Sequence, residues 1–160
     1  MGGSFEKLMG ELDYPLYVLT AAAGDQRSGC LIGFATQTSI HPPRFLACVS
    51  RKNHTHPVAV RSEVLAVHVL RDEHRDLAEL FGGETGDEVD KLAHVCWRPG
   101  PGGVPLLADV SAWFAGRVIG RFDLGDHEGF LLEPLEASAA PLPSELSFQE
   151  AKDIEPGHEP

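Results

Sequence analysis

The chain has 160 residues, 24 acids against 13 bases, a formal net charge of −11 and 42% hydrophobic residues. That is the composition of one globular domain large enough to bury a sizeable core. It excludes a general nucleic-acid binder, which needs a basic face, and an anionic membrane surface. No apolar run reaches the ~20 residues that span a bilayer, and Glu6, Glu11 and Asp13 speak against a signal peptide. Cys30, Cys48 and Cys96 are odd in number and form no CxxC pair, so a reduced, cytoplasmic protein is expected.

Phe5, Leu8, Met9 and Leu12 recur at helical spacing and predict a short amphipathic helix limited by Pro15. Leu16–Ala23 reads as a strand, residues 24–29 as a turn, and Cys30–Ala35 as the second strand of a hairpin. Thr36–Ile40 leads into His41-Pro42-Pro43, a rigid connection. Arg44–Ser50 is a third strand, and Pro57 fits the first turn of a short helix. Glu63–Leu70 is apolar on both faces and reads as a strand buried on both sides. His74–Phe81 reads as a helix ended by Gly82-Gly83, and Asp87–His94 as a second short one. Residues 98–103 read as a loop. Val110–Phe122 and Glu128–Ala137 read as long strands around a turn at 123–126. Five or six strands, short helices and no regular βαβ alternation predict a mainly β (α+β) chain, an antiparallel barrel with helical insertions. Residues 1–137 are expected to form that domain. The proline-rich tail, residues 138–160, either docks on it or stays mobile.

Three features bear on chemistry. Between Arg44 and Arg71 stand five bases and one acid, a local balance of +4 in an acidic chain. The densest part, Ser50-Arg51-Lys52-Asn53-His54-Thr55-His56, offers hydroxyls, an amide and two fixed cations at the entry to a helix. It reads either as a phosphate site or as a solvated basic loop. Residues 29–43, GCLIGFATQTSIHPP, pass from strand into small and hydroxyl residues, where Gly33 and Ala35 would let a flat ligand approach the backbone. Otherwise they are a plain strand and turn. Gly125-Asp126-His127 places a histidine in a tight turn, either aimed into a cleft or solvated. His54 and His56 have HxH spacing without a recognised ligand pattern, so no metal is expected. GxSxG, GxGxxG and Walker patterns are absent from the sequence. Trp97, Trp113 and Phe114 read as core or subunit-contact aromatics.

In this order and spacing, the features resemble the flavin reductase-like family, whose fold is the FMN-binding split barrel. The similarity runs from about Tyr14 to Ala137. It rests on PLYVLT at 15–20, the diproline-ended segment 29–43, the loop 50–55, LAELF at 77–81, and the turn 125–127 with Phe130 behind it. The resemblance implies a homodimer that reduces FMN or FAD with NADH or NADPH. It implies Leu31, Ile32, Gly33, Phe34 and Ala35 along the flavin ring and ribityl chain, with Cys48, Val49 and Ser50 lining the same pocket. It implies Asn53, His54 and Thr55 at the phosphate with Arg51 or Lys52 nearby, Phe81 at the border, and His127 as the catalytic candidate facing the nicotinamide. Leu31, Gly33 and Phe34 stand where the family often carries hydroxyl residues. A flavin-dependent monooxygenase is the implied recipient of reduced flavin. An electron-carrier module without nucleotide turnover is the alternative.

Overall fold

The computed structural model describes residues 3–83, 90–138, 141 and 144–157. Seven strands form one antiparallel sheet: β1 (Tyr17–Ala23), β2 (Gln26–Ile32), β3 (Ala35–Ser39), β4 (Arg44–Ser50), β5 (Val64–Val69), β8 (Trp113–Asp123) and β9 (His127–Ala137). Their order is β2-β1-β5-β8-β9-β4-β3. The two outermost strands, β2 and β3, are joined only by Gly33 and Phe34, so the chain itself brings the two ends of the sheet together. The Cys48 amide reinforces this by donating to the Phe34 carbonyl at 2.9 Å. The result is an antiparallel split barrel with short helices, as the alternation of strands and turns predicts.

A small ribbon, β6 (Trp97–Pro99) with β7 (Pro105–Leu107), lies outside the barrel where the sequence reads as a loop. Its turn uses Gly102 and Gly103 at φ +66° and +78°, and its prolines sit at the strand ends, where a ladder donor is not missed. Two buried polar side chains pin it to the sheet. The Thr20 hydroxyl donates to the Pro105 carbonyl at 2.6 Å. His68 bridges the Val18 carbonyl and the Leu107 amide, both at 3.0 Å.

Strands β1 and β5 are buried on both faces. One face fills the barrel with Leu19, Ala21, Leu65 and Val67, joined by Ala47, Val49, Phe130 and Leu132. The helix α2 (Thr55–Val60) adds Val58 and Ala59 to this core. On the outer face, Leu16, Val18 and Leu70 pack against Leu77, Ala78 and Phe81 of α3 (Arg75–Gly83), and against Leu146 and Ala151 near the C-terminus.

Several boundaries differ from the sequence reading. The first hairpin turns on Gly24-Asp25 alone, because Gly24 adopts φ +56° and β2 already starts at Gln26. Thr36–Ser39 continues the ladder as part of β3. The short helix after the basic loop starts at Thr55, two residues before Pro57. Of the second predicted helix, Lys91–His94 forms a 3-10 turn preceded by Asp90 in extended backbone; its first residues, 87–89, lie outside the described residues. The opening helix α1 (Gly3–Glu11) forms as predicted, yet none of its residues is buried. Of the tail, residues 144–157 dock on the barrel, with α4 (Phe148–Ala151) as their one helical turn. No described helix is long and apolar enough to cross a membrane.

Candidate functional site

A cavity of about 390 Å³ opens where β2 runs into β3. Its walls come from six separate parts of the chain. Cys30, Leu31, Ile32, Gly33 and Phe34 supply the edge-strand wall, and Cys48, Ser50 and Asn53 the floor. His127 stands at the head of β9, Phe81 and Gly82 close the α3 side, and Phe148, Ala151, Lys152, Ile154 and Pro156 form the outer wall. Tyr14 and Leu16 complete it.

Glycines set the spacing of the walls. A Cβ on Gly29 would lie 2.8 Å from the Phe81 ring, and one on Gly82 would lie 2.6 Å from the Leu31 side chain. Bare backbone at these two positions therefore lets α3 sit directly on β2. At Gly33 the Cβ direction is filled by the Tyr14 ring, 2.6 Å away. The close approach that the sequence predicts at Gly33 is thus made by a side chain of the protein. Tyr14 in turn stacks on Phe148 with centroids 4.7 Å apart and planes within 14°. The row continues to Phe34 at 6.3 Å from Tyr14, and from Phe34 to His127 at 5.0 Å.

The basic loop joins the site through a hydrogen-bonded frame. Asn53 Oδ1 accepts the Thr55 amide at 2.8 Å at the start of α2, and Ser50 Oγ accepts the Lys52 amide at 3.3 Å. The Arg51 amide donates to the Asp126 carbonyl at 2.9 Å, which ties this loop to the 123–127 turn. The Arg51 guanidinium does the same, donating to the Gly125 carbonyl at 3.1 Å and to Asp123 at 2.9 Å. Hydrogen bonding to Arg51 holds the Asp123 carboxyl below the ordinary range. His127 Nδ1 lies 2.7 Å from Asp126 Oδ1, and this bond holds the Asp126 carboxyl down in the same way. The Asp126 carboxylate thereby orients the imidazole, whose ring borders the cavity. Burial pushes the Cys48 thiol up, and pushes Cys30 up to about 11.

Of the residues singled out from the sequence, Leu31, Ile32, Gly33, Phe34, Cys48, Ser50, Asn53, Phe81 and His127 line this one cavity. Ala35, Val49, Arg51, Lys52, His54 and Thr55 do not line it. Val49 points into the barrel core, and Thr55 is buried with its hydroxyl 2.6 Å from that of Ser28. Arg51 and Lys52 are exposed beside the floor. Tyr14, Leu16, Cys30, Gly82 and the outer wall were missed. Apolar Leu146, Phe148 and Ile154 within an acidic, proline-rich tail were the available signal.

A family model described as flavin reductase like domain matches residues 9–150. The FMN reductase (NADH) RutF 1 of Methylorubrum extorquens is 30% identical over 137 residues, covering 86% of this chain and 67% of the relative. Among solved structures, the NADH:FAD oxidoreductase SgcE6 of Streptomyces globisporus C-1027 is 26% identical with a TM-score of 0.81, covering 89% of this chain and 85% of that one. A flavin reductase domain protein from Arthrobacter sp. FB24 shares the fold at a TM-score of 0.84 and 21% identity, over 94% and 92% of the two chains.

Proposed function

Because the chain belongs to the flavin reductase like domain family, we propose that it is a flavin-binding oxidoreductase that reduces FMN or FAD with NADH or NADPH. One observation carries the reading: a largely apolar cavity of about 390 Å³ with a polar, cation-flanked end at Ser50–Asn53. That volume and polarity suit an apolar ring system with an anionic tail. A bound flavin would supply the hydride acceptor; the protein supplies binding, orientation and electrostatics. Leu31, Ile32, Gly33 and Phe34 hold the ring edge, with Phe81 behind and Cys48 and Ser50 beneath. Backbone donors of this edge strand offset negative charge developing on a reduced ring. Ala35 and Val49 contribute through the backbone of their strands. Asn53 and Lys52, with His54 and Thr55 shaping the loop, meet the phosphate. Arg51 positions that loop against the His127 turn.

His127, held by Asp126, orients the nicotinamide at the open side. The similarity to reductases whose names specify NADH supports this choice of reductant. A homodimer is part of the same proposal, as are a cytoplasmic location and release of reduced flavin to a monooxygenase. The test is to mix purified protein with FMN and NADH, or NADPH, without oxygen and follow flavin absorbance. Bleaching at a catalytic rate, reduced at least tenfold in His127→Ala with flavin affinity retained, is expected. Flavin binding without reduction by either nucleotide refutes the reductase and leaves an electron carrier.

A further inference from the structure

The outer wall of the cavity is built in two parts of unequal firmness. The first part, Glu145–Ala151, is stitched into the barrel. Glu145 and Ser147 bridge Arg71 and Pro15. The Leu146 amide donates to the Leu70 carbonyl at 2.8 Å, and the Leu16 amide donates to Leu146 at 3.0 Å. Gln149 donates to the Gly10 and Leu12 carbonyls, and Leu146 and Ala151 are buried. The second part, Lys152–Gly157, has no buried residue, yet it contributes Lys152, Ile154 and Pro156 to the cavity wall. It rests across Gly83, where an added Cβ would lie 3.5 Å from the Ile154 side chain, and the Gly157 amide donates to the Gly82 carbonyl at 3.1 Å.

One side chain spans the junction. Arg75 donates to the Glu150 carbonyl at 2.9 Å in the firm part, and forks onto both Asp153 oxygens at 2.8 and 2.9 Å in the loose part. This ion pair is exposed, with side-chain accessibilities of 39% and 73%, and lies outside the cavity. A segment whose one apolar anchor is half-buried Ile154, packed on the outer core, opens locally at a cost below that of global unfolding. An exposed ion pair is a weak and salt-sensitive tie.

We propose that Lys152–Gly157 is a flap that opens the cavity on a hinge at Ala151–Lys152, and that the Arg75–Asp153 pair is the latch that holds it shut. The flap concerns access to the cavity whatever fills it, so it stands apart from the flavin reading.

The test uses Cys48, a half-buried thiol on the cavity floor. Exposed Cys96 is first replaced by Ser. The rate of labelling of Cys48 by a bulky maleimide is then followed by peptide mass spectrometry, with amide hydrogen exchange of β5, which is buried on both faces and does not line the cavity, as the reporter of global opening. Arg75→Ala and Asp153→Asn are each expected to speed Cys48 labelling roughly two- to fivefold, the range open to an exposed ion pair. The charge-swapped pair Arg75→Glu with Asp153→Arg should return the rate toward that of the parent. Added salt should speed the parent and leave the single variants unchanged. Arg117→Ala, which breaks a pair with Glu133 elsewhere, should have no effect. Equal rates in parent and latch variants, or β5 exchange accelerated in step with Cys48 labelling, would overturn the flap.

Discussion

Lowering the pH should destabilise the protein through His68 before its carboxylates titrate. His68 is fully buried, and its two ring nitrogens are committed: Nε2 accepts the Leu107 amide, so Nδ1–H donates to the Val18 carbonyl. A proton added at Nε2 would face an N–H donor in a site without water access. Burial accordingly pushes the pKa from 6.5 down to about 4. Above about pH 6.5 neither state binds the proton and the stability is fully present. As pH falls below 6.5, the unfolded chain takes up the proton and the folded one does not. Stability is therefore lost until about pH 4, where the folded state protonates too. The whole interval corresponds to about 3 kcal/mol, of which about 2 kcal/mol is gone at pH 5. Urea unfolding of wild type and His68→Gln at pH 7.5, 6 and 5 and fixed ionic strength measures it. The variant keeps an acceptor and a donor but does not titrate here. Wild type should start more stable and lose its lead by about 2 kcal/mol on reaching pH 5. A lead that stays constant with pH would refute the assignment of His68 as a buried neutral clamp on the outer ribbon.

Gly33→Ala drives a Cβ against the Tyr14 ring, which Phe148 holds from its other face. It should cost about 1 kcal/mol in denaturant unfolding, and most of this cost should be lost in a Tyr14→Ala background, with Leu16, 3.2 Å from the added Cβ, keeping the remainder. Lys52→Ala should weaken FMN roughly tenfold by calorimetry and leave riboflavin unchanged, since the lost partner is a charge-assisted donor to phosphate. Equal loss for both ligands would mean that the phosphate lies elsewhere. Thr55→Ala should instead lower stability by about 1 kcal/mol, because it strands the buried Ser28 hydroxyl.

What was legible in the sequence was local. Arg44–Ser50 emerges as a strand with its predicted ends, because Pro43 and the polar loop after Ser50 bound an uninterrupted β-prone run. The two-sided burial of β5 follows from apolar residues on both faces. The misses are non-local. The ribbon β6–β7 depends on Thr20 and His68 reaching out from strands 85 and 39 residues away in sequence. The outer wall depends on Tyr14 meeting Phe148, and on Arg75 meeting Asp153 across 78 residues. No window of sequence contains both halves of such a contact.

The candidate site shows how strand period sorts neighbouring residues into different roles. Residues 48–50 look equivalent in the sequence, yet side chains alternate across a sheet. Cys48 and Ser50 therefore face the cavity, while Ala47 and Val49 are fully buried in the barrel. The partner strand alternates in phase: His127, paired with Ser50, faces the cavity, whereas Phe130, paired with Ala47, fills the core. A polar group at 47 or 49 would cost barrel stability, whereas an apolar one at 50 would cost the hydrogen bond that Ser50 Oγ accepts from the Lys52 amide. Past Ser50 the strand ends and alternation no longer applies. Arg51 then turns back to Asp123 and Gly125, and Asn53 turns in. The Arg51 guanidinium is thereby committed to tying the loop to the His127 turn. Substituting Arg51 should consequently disturb the placement of His127 as well as the loop that follows Ser50.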